Sequence, residues 1–228
     1  MKFFGQTVLI FSPHQDDEVI GCGGIIQKFL SEGSNVHVSF GTAVDGLYDR
    51  YNREMRLYEK YHGNERMKEM YDCLKILGIN EQNISFLYES KYHSKLDQIP
   101  FTEFLEKVEN EILRINPTII LIPAVSSNQD HERINRVLIS AMRPNFYSKN
   151  IMEYEIANEL NFKPNFYVKL SKNQLYNKIE ALGCYNTQYR GEINKISKEG
   201  IYNRAVYRGS DIHCKYAEAF QVKRLNWD

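Results

Sequence analysis

A polar run, Ser12-Pro13-His14-Gln15-Asp16-Asp17-Glu18, follows an apolar stretch near the N-terminus. Three carboxylates beside one imidazole repel one another unless something positive sits among them. A divalent cation supplies that charge, and His14 and Asp17 are spaced so that both side chains can turn toward one point. The competing reading makes Asp16 or Asp17 a helix cap, with Glu18 meeting the helix dipole and His14 incidental. One carboxylate can cap while another binds metal.

A second segment, Asn128-Gln129-Asp130-His131, has the same character. If the strands preceding the two segments are parallel neighbours, His131 can face His14 and Asp17. Two His and one carboxylate, with a position left open for water, make a standard catalytic zinc set. Water on such a zinc reaches a pKa of about 7. The plainer reading pairs His131 with Asp130 at a helix start.

Other hydrolytic and cofactor signatures fail. His131-Glu132-Arg133-Ile134-Asn135 nearly spells the H-E-x-x-H peptidase helix, but Asn135 replaces the second His. No G-x-S-x-G nucleophile turn occurs. Gly21-Cys22-Gly23-Gly24 lie behind three acids that would repel a pyrophosphate, so the glycines serve close packing of the first helix.

Both segments need elements that hold them at strand ends. Residues 7–11 read as a buried strand, 17–32 as a helix stopped by Gly33, and 35–40 as a second strand. Residues 41–63 read as a long, polar, Tyr-rich loop, a lid or sugar platform carrying Asp45, Tyr48 and Tyr51, or else plain surface. Helices follow over 64–77, 101–115 and 130–142, with strands over 84–88 and 118–122. Residues 118–122 are so rich in Ile and Leu that they read as a central parallel strand covered on both faces. Strands are expected at 154–156 and 166–170 and a helix at 172–182; from Gly191 onward the pattern assigns nothing. Alternating strands and helices predict an α/β fold: a Rossmann-like, open, mostly parallel sheet with helices on both faces. Ligands of such sheets bind at the carboxyl ends of the strands, where both polar segments fall.

Composition narrows the classes. The chain of 228 residues is read as one domain, 1–228, and can bury a core without metal or disulfide staples. Lys plus Arg and Asp plus Glu are 29 each, so no global footprint for nucleic acid exists. The four cysteines form no C-x-x-C pair and read as buried thiols of a reduced compartment. The apolar run at 8–11 is too short for a signal-peptide core or a membrane span, so a cytoplasmic protein is expected.

Taken together, the two segments resemble the PIG-L/LmbE-like family of metal-dependent N-deacetylases. Pro13-His14-Gln15-Asp16-Asp17-Glu18 matches its P-H-x-D-D-E loop, and Asn128-Gln129-Asp130-His131 its H-x-D-H segment. Gly21 to Gly24, the helix containing Arg66-Met67-Lys68-Glu69, Tyr185-Asn186-Thr187-Gln188 and Tyr216-Ala217-Glu218-Ala219-Phe220 agree more loosely. The resemblance implies Zn2+, or another divalent metal, held by His14, Asp17 and His131, with Asp16 as general base. It implies an N-acetylglucosamine-containing small molecule or glycoconjugate as substrate. Asp130 is expected to orient a neighbouring ligand or cap the helix; Arg66 contacts substrate or is a solvated charge.

One departure is Asn128, where the family has a His that steadies the oxyanion. Asn can donate a neutral hydrogen bond but cannot act as a charged acid. His213 is a candidate substitute. His37 reads as structural, and the sequence suggests no role for His62 or His93. Two rivals stand beside the sugar deacetylase: a deacetylase of another acylamide, and a metal- or sugar-binding protein with little turnover.

Overall fold

The structure, a computed structural model, describes residues 4–52, 57–156, 161–189, 191 and 194–226, and of 47–52 and 57–61 only the backbone. Nine strands and six helices are described. The first half runs β1 (Thr7–Ser12), α1 (Asp17–Ser31), β2 (Asn35–Thr42), β3 (Leu47–Asn52), β4 (Leu57–His62), α2 (Gly63–Leu77) and β5 (Ile84–Tyr88). The second runs α3 (Phe101–Ile115), β6 (Ile119–Pro123), α4 (Gln129–Ala141), β7 (Asn150–Tyr154), β8 (Phe166–Lys169), α5 (Lys172–Leu182), α6 (Lys198–Ser210) and β9 (Ala217–Arg224).

Seven strands form one sheet in the order β5-β2-β1-β6-β7-β9-β8. The first five named are parallel; β9 is antiparallel to both β7 and β8. From β1 the chain steps outward to β2 and β5, then returns to lay β6 against the other side of β1. That reversal opens a crevice between the carboxyl ends of β1 and β6, where the two polar segments leave the sheet.

Alternation along β1 explains the layers. Val8 and Ile10 face a core built with α1, α2, α5 and α6; Leu9 and Phe11 face one built with α3 and α4. The glycines of α1 permit close approach: a Cβ on Gly21 would overlap the Tyr154 ring, and one on Gly24 the Leu170 side chain. Into this gap comes a buried ion pair. Glu218 accepts from the amides of Gly24 and Ile25 (2.6 and 2.7 Å), and Lys178 Nζ donates to Glu218 Oε1 and to the Ile20 carbonyl (2.6 and 2.8 Å).

Several expectations need correction. The stretch expected as one long loop, 41–63, contains two strands, β3 and β4, that pair antiparallel. The lid or platform expected of Tyr48 and Tyr51 concerns side chains outside those described. The strand expected at 154–156 lies earlier, because pairing of Ile119 with Asn150 through Pro123 with Tyr154 sets its span; Asn150 and Glu153 hid it. Residues beyond 191 hold α6 and β9; Gly200 and Gly209 mask the helix. Cys22 and Cys73 are buried, but Cys184 and Cys214 are only half-buried. Among the described residues no helix is long and apolar enough to cross a membrane.

Candidate metal centre

The turn after β1 is strained where the chemistry is densest. Asp16 has φ 127°, a backbone region rare for a residue with a side chain, and its carboxylate makes no capping bond to α1. Glu18 holds the turn from beneath. Its Oε2 accepts from the Asp16 amide at 2.9 Å, and its Oε1 accepts from the Tyr185 hydroxyl at 2.6 Å. Burial pushes the Glu18 carboxyl up to about 7, against the hydrogen bond from Tyr185. The turn thus presents Asp16 and Asp17 in different directions of use, and the helix-cap reading of the Asp16 side chain is not realised.

His14, Asp17 and His131 come together. His131 Nε2 lies 3.1 Å from His14 Nδ1 and 3.1 Å from Asp17 Oδ2, and His14 Nδ1 lies 3.5 Å from Asp17 Oδ2. All three residues are more than nine-tenths buried. Asp130, fully buried, takes His14 Nε2 at 3.0 Å and the Leu96 amide at 2.9 Å. A carboxylate only accepts, so Nε2 carries the proton and the Nδ1 side faces Asp17 and His131.

The electrostatics follow from this crowding. Burial disfavours charge on His14, but hydrogen bonds to Asp130 and Asp17 outweigh it and raise the imidazole to about 9. Burial also opposes ionisation of Asp17, yet the His131 charge and bonds from both imidazoles hold its carboxyl well below the usual range. Asp16 goes the other way. Burial and the Asp17 charge push it up to about 7, with Arg66 pulling against them. Two adjacent acids are thereby assigned opposite proton habits.

This donor set fits a divalent cation. One nitrogen, one carboxylate oxygen and one further nitrogen lie within 4.8 Å of one another, in buried surroundings and with a carboxylate fixing one ring.

Asn128 is exposed and caps α4, its Oδ1 accepting from the Asp130 amide at 2.9 Å. Asp130 is therefore the ring-orienting acid, not the cap. Arg66 Nη2 donates to the Gln15 carbonyl at 2.8 Å and stands 3.8 Å from Asp16 Oδ1; at 4% exposure it is not a solvated charge. His213 lies exposed in the turn between α6 and β9, and no described contact joins it to the cluster. Asn135 is structural, donating to the Pro123 carbonyl at 2.7 Å.

Three features lie beyond what the two polar segments announce. The first is a pocket of about 620 Å³ beside Asp16, whose walls include Tyr185, Gln188, Tyr189, Ile196 and Lys198. The second is the clamp that shapes it: Glu69 of α2 accepts from the Thr187 amide at 2.8 Å and hydroxyl at 2.5 Å. The third is His93, buried against His14. It follows β5, so the strand-end rule that singled out His14 and His131 points to it as well.

Comparisons with known proteins bear on the family and the fold. A profile described as PIG-L, GlcNAc-PI de-N-acetylase, matches residues 9–142. The diacetylchitobiose deacetylase of Thermococcus kodakarensis is 23% identical over 232 residues, which span 95% of this chain and 82% of that protein. The conserved protein TT1542 of Thermus thermophilus superposes with a TM-score of 0.75 at 22% identity, over 98% of this chain and 97% of that one. The 4-carboxy-2-hydroxymuconate hydratase GalB of Pseudomonas putida KT2440 superposes at 0.73 with 18% identity, over 98% of each. Fold alone therefore does not choose the reaction. The profile, however, covers more than half of the chain and contains His14, Asp16, Asp17 and His131: the chain belongs to the PIG-L family.

Proposed function

We propose that this protein is a metal-dependent hydrolase that removes an N-acyl group, acetyl in particular, from an amino sugar or its conjugate. The observation that carries this reading is the convergence of His14 Nδ1, Asp17 Oδ2 and His131 Nε2 beside an Asp16 carboxyl that is not a ligand of the same group. These three residues would hold zinc; iron, cobalt or manganese suit the same donors. A cation bound there supplies Lewis acidity toward the amide carbonyl and lowers the pKa of water.

The protein's own groups do the rest. Asp16, poised near neutrality, accepts the proton of the attacking water and returns it to the leaving nitrogen. Asn128 has its carbonyl committed to the α4 cap, which leaves its amide N–H groups to donate to the developing oxyanion. The pocket beside Asp16 is within the range of about 300–1,000 Å³ typical of small-molecule sites, and the exposed Tyr189 on its wall offers aromatic surface of the kind sugar rings pack on. The diacetylchitobiose deacetylase similarity favours an N-acetylglucosamine unit.

The neutral Asn128 favours a second reading, a binder of metal or sugar with little turnover. Amine release from a panel of N-acetylglucosamine conjugates, before and after chelation, separates the two. Turnover that chelation abolishes and Asp16→Asn suppresses supports the hydrolase. Wild type and Asp16→Asn equally inactive across the panel support the binder.

A further inference from the structure

The segment after β5 brings a third imidazole to the site. The His93 ring packs edge-on against His14, centroids 5.2 Å apart at 72°, so that His14 contacts both His93 and His131 (5.1 Å). His93 Nε2 lies 3.4 Å from Arg66 Nη1, and its Nδ1 lies 3.3 Å from Thr42 Oγ1. A guanidinium has only donors, so Nε2 must accept. The ring proton then sits on Nδ1 and is donated to the Thr42 hydroxyl. At the other end of the guanidinium, Nη2 is tied to the Gln15 carbonyl, with Asp16 Oδ1 at 3.8 Å. Arg66 is thus gripped by two neutral acceptors and pairs with Asp16 as an ion pair across 3.8 Å, without a hydrogen bond.

We propose that His93 is a positioning residue that holds the Arg66 guanidinium beside Asp16 without cancelling its charge. A carboxylate in the place of His93 would satisfy the same N–H and neutralise the cation; an imidazole satisfies it and leaves the charge whole. The use of that charge rests on the deacylase reading. Amide hydrolysis builds negative charge beside Asp16, and Asn128 brings only a neutral dipole to meet it. Arg66 brings a full positive charge from the chain itself, at an orientation set by His93.

The test has two arms. In the first, 15N NMR of the imidazoles is recorded on the metal-free and the zinc-loaded protein. The expected result is a His93 ring protonated at Nδ1 and bare at Nε2 in both. In the second, turnover is measured for His93→Leu, His93→Gln, Arg66→Gln and the His93→Leu/Arg66→Gln pair, with metal content determined on each. His93→Leu is expected to lower kcat at least tenfold with KM and bound metal unchanged. His93→Gln, whose amide oxygen can accept from Arg66, is expected to recover most of the loss. His93→Leu is expected to cost less than twofold once Arg66 is Gln, because residues acting through one another are not additive. A protonated Nε2, independent effects of the two substitutions, or loss of metal in His93→Leu would overturn the proposal. If the wild type hydrolyses no amide, the deacylase reading fails, and the protonation of Nε2 alone decides whether His93 holds Arg66.

Discussion

His14 Nε2 lies 3.0 Å from Asp130 Oδ2, and this contact fixes which imidazole nitrogen faces Asp17 and His131. Orienting partners of this kind are worth about 10–100-fold in metal affinity. Asp130→Ala should therefore weaken zinc binding by about that factor with all three ligands in place. Competition with a chromophoric chelator measures it; an affinity equal to wild type would mean that Asp130 only ties the segment containing Leu96.

Metal uptake should be a proton exchange. In the metal-free protein the His14 imidazole is raised to about 9, so below that pH it is charged and must lose a proton before Nδ1 can ligate. Zinc affinity is expected to rise about tenfold per pH unit from 6 and to level off near 9. Titrations in buffers of different ionisation enthalpy count the proton released; no release at pH 7 would mean that His14 is already neutral in the metal-free protein.

Asp16→Asn should fold and retain its metal but lose about 10²–10⁴-fold in kcat, the range typical of a missing general acid-base. Metal content and turnover are measured on the same preparation. A loss of metal equal to the loss of rate would instead make Asp16 a ligand.

The clamp on the pocket wall predicts a different kinetic signature. Thr187→Val removes the hydroxyl that donates to Glu69 Oε2 and loosens the wall bearing Gln188 and Tyr189. KM should rise several-fold with kcat nearly constant, the mark of binding lost equally in ground and transition states. A fall in kcat at constant KM would place Thr187 nearer the chemistry.

Glu218→Ala tests the C-terminal anchor. It leaves Lys178 buried without its carboxylate and strips the acceptor from the Gly24 and Ile25 amides. Breaking one partner of a buried pair costs about 3–5 kcal/mol. Denaturant unfolding with metal held constant reads it, and a loss under about 1 kcal/mol on the same scale would mean the pair is dispensable.

Legibility from sequence tracked how local the determinants are. The strand of 118–122 and the helix of 101–115 announce themselves by apolar pattern, and the two polar segments by charge that needs compensation. The β3–β4 hairpin was hidden because its strands are polar and lie outside the main sheet. The pocket was hidden because its walls join residue 16 to residues in 182–189 and 196–199, a pairing set only by the packing of α5 and α6. His93 lacked any neighbour in sequence to suggest its role; its partners Thr42 and Arg66 are 51 and 27 positions away. The spacing leaves Asp130 either an orienting residue or a cap, and the structure separates these by giving the cap to Asn128.

The most direct measurement is acetate release from an N-acetylglucosamine conjugate by wild-type protein, followed through removal and restoration of zinc, alongside His131→Ala. Turnover should vanish with the metal, return on its addition to the wild type, and fail to return in His131→Ala. Acetate released at an undiminished rate by the chelated protein, or by His131→Ala, would contradict a catalytic cation held by His14, Asp17 and His131.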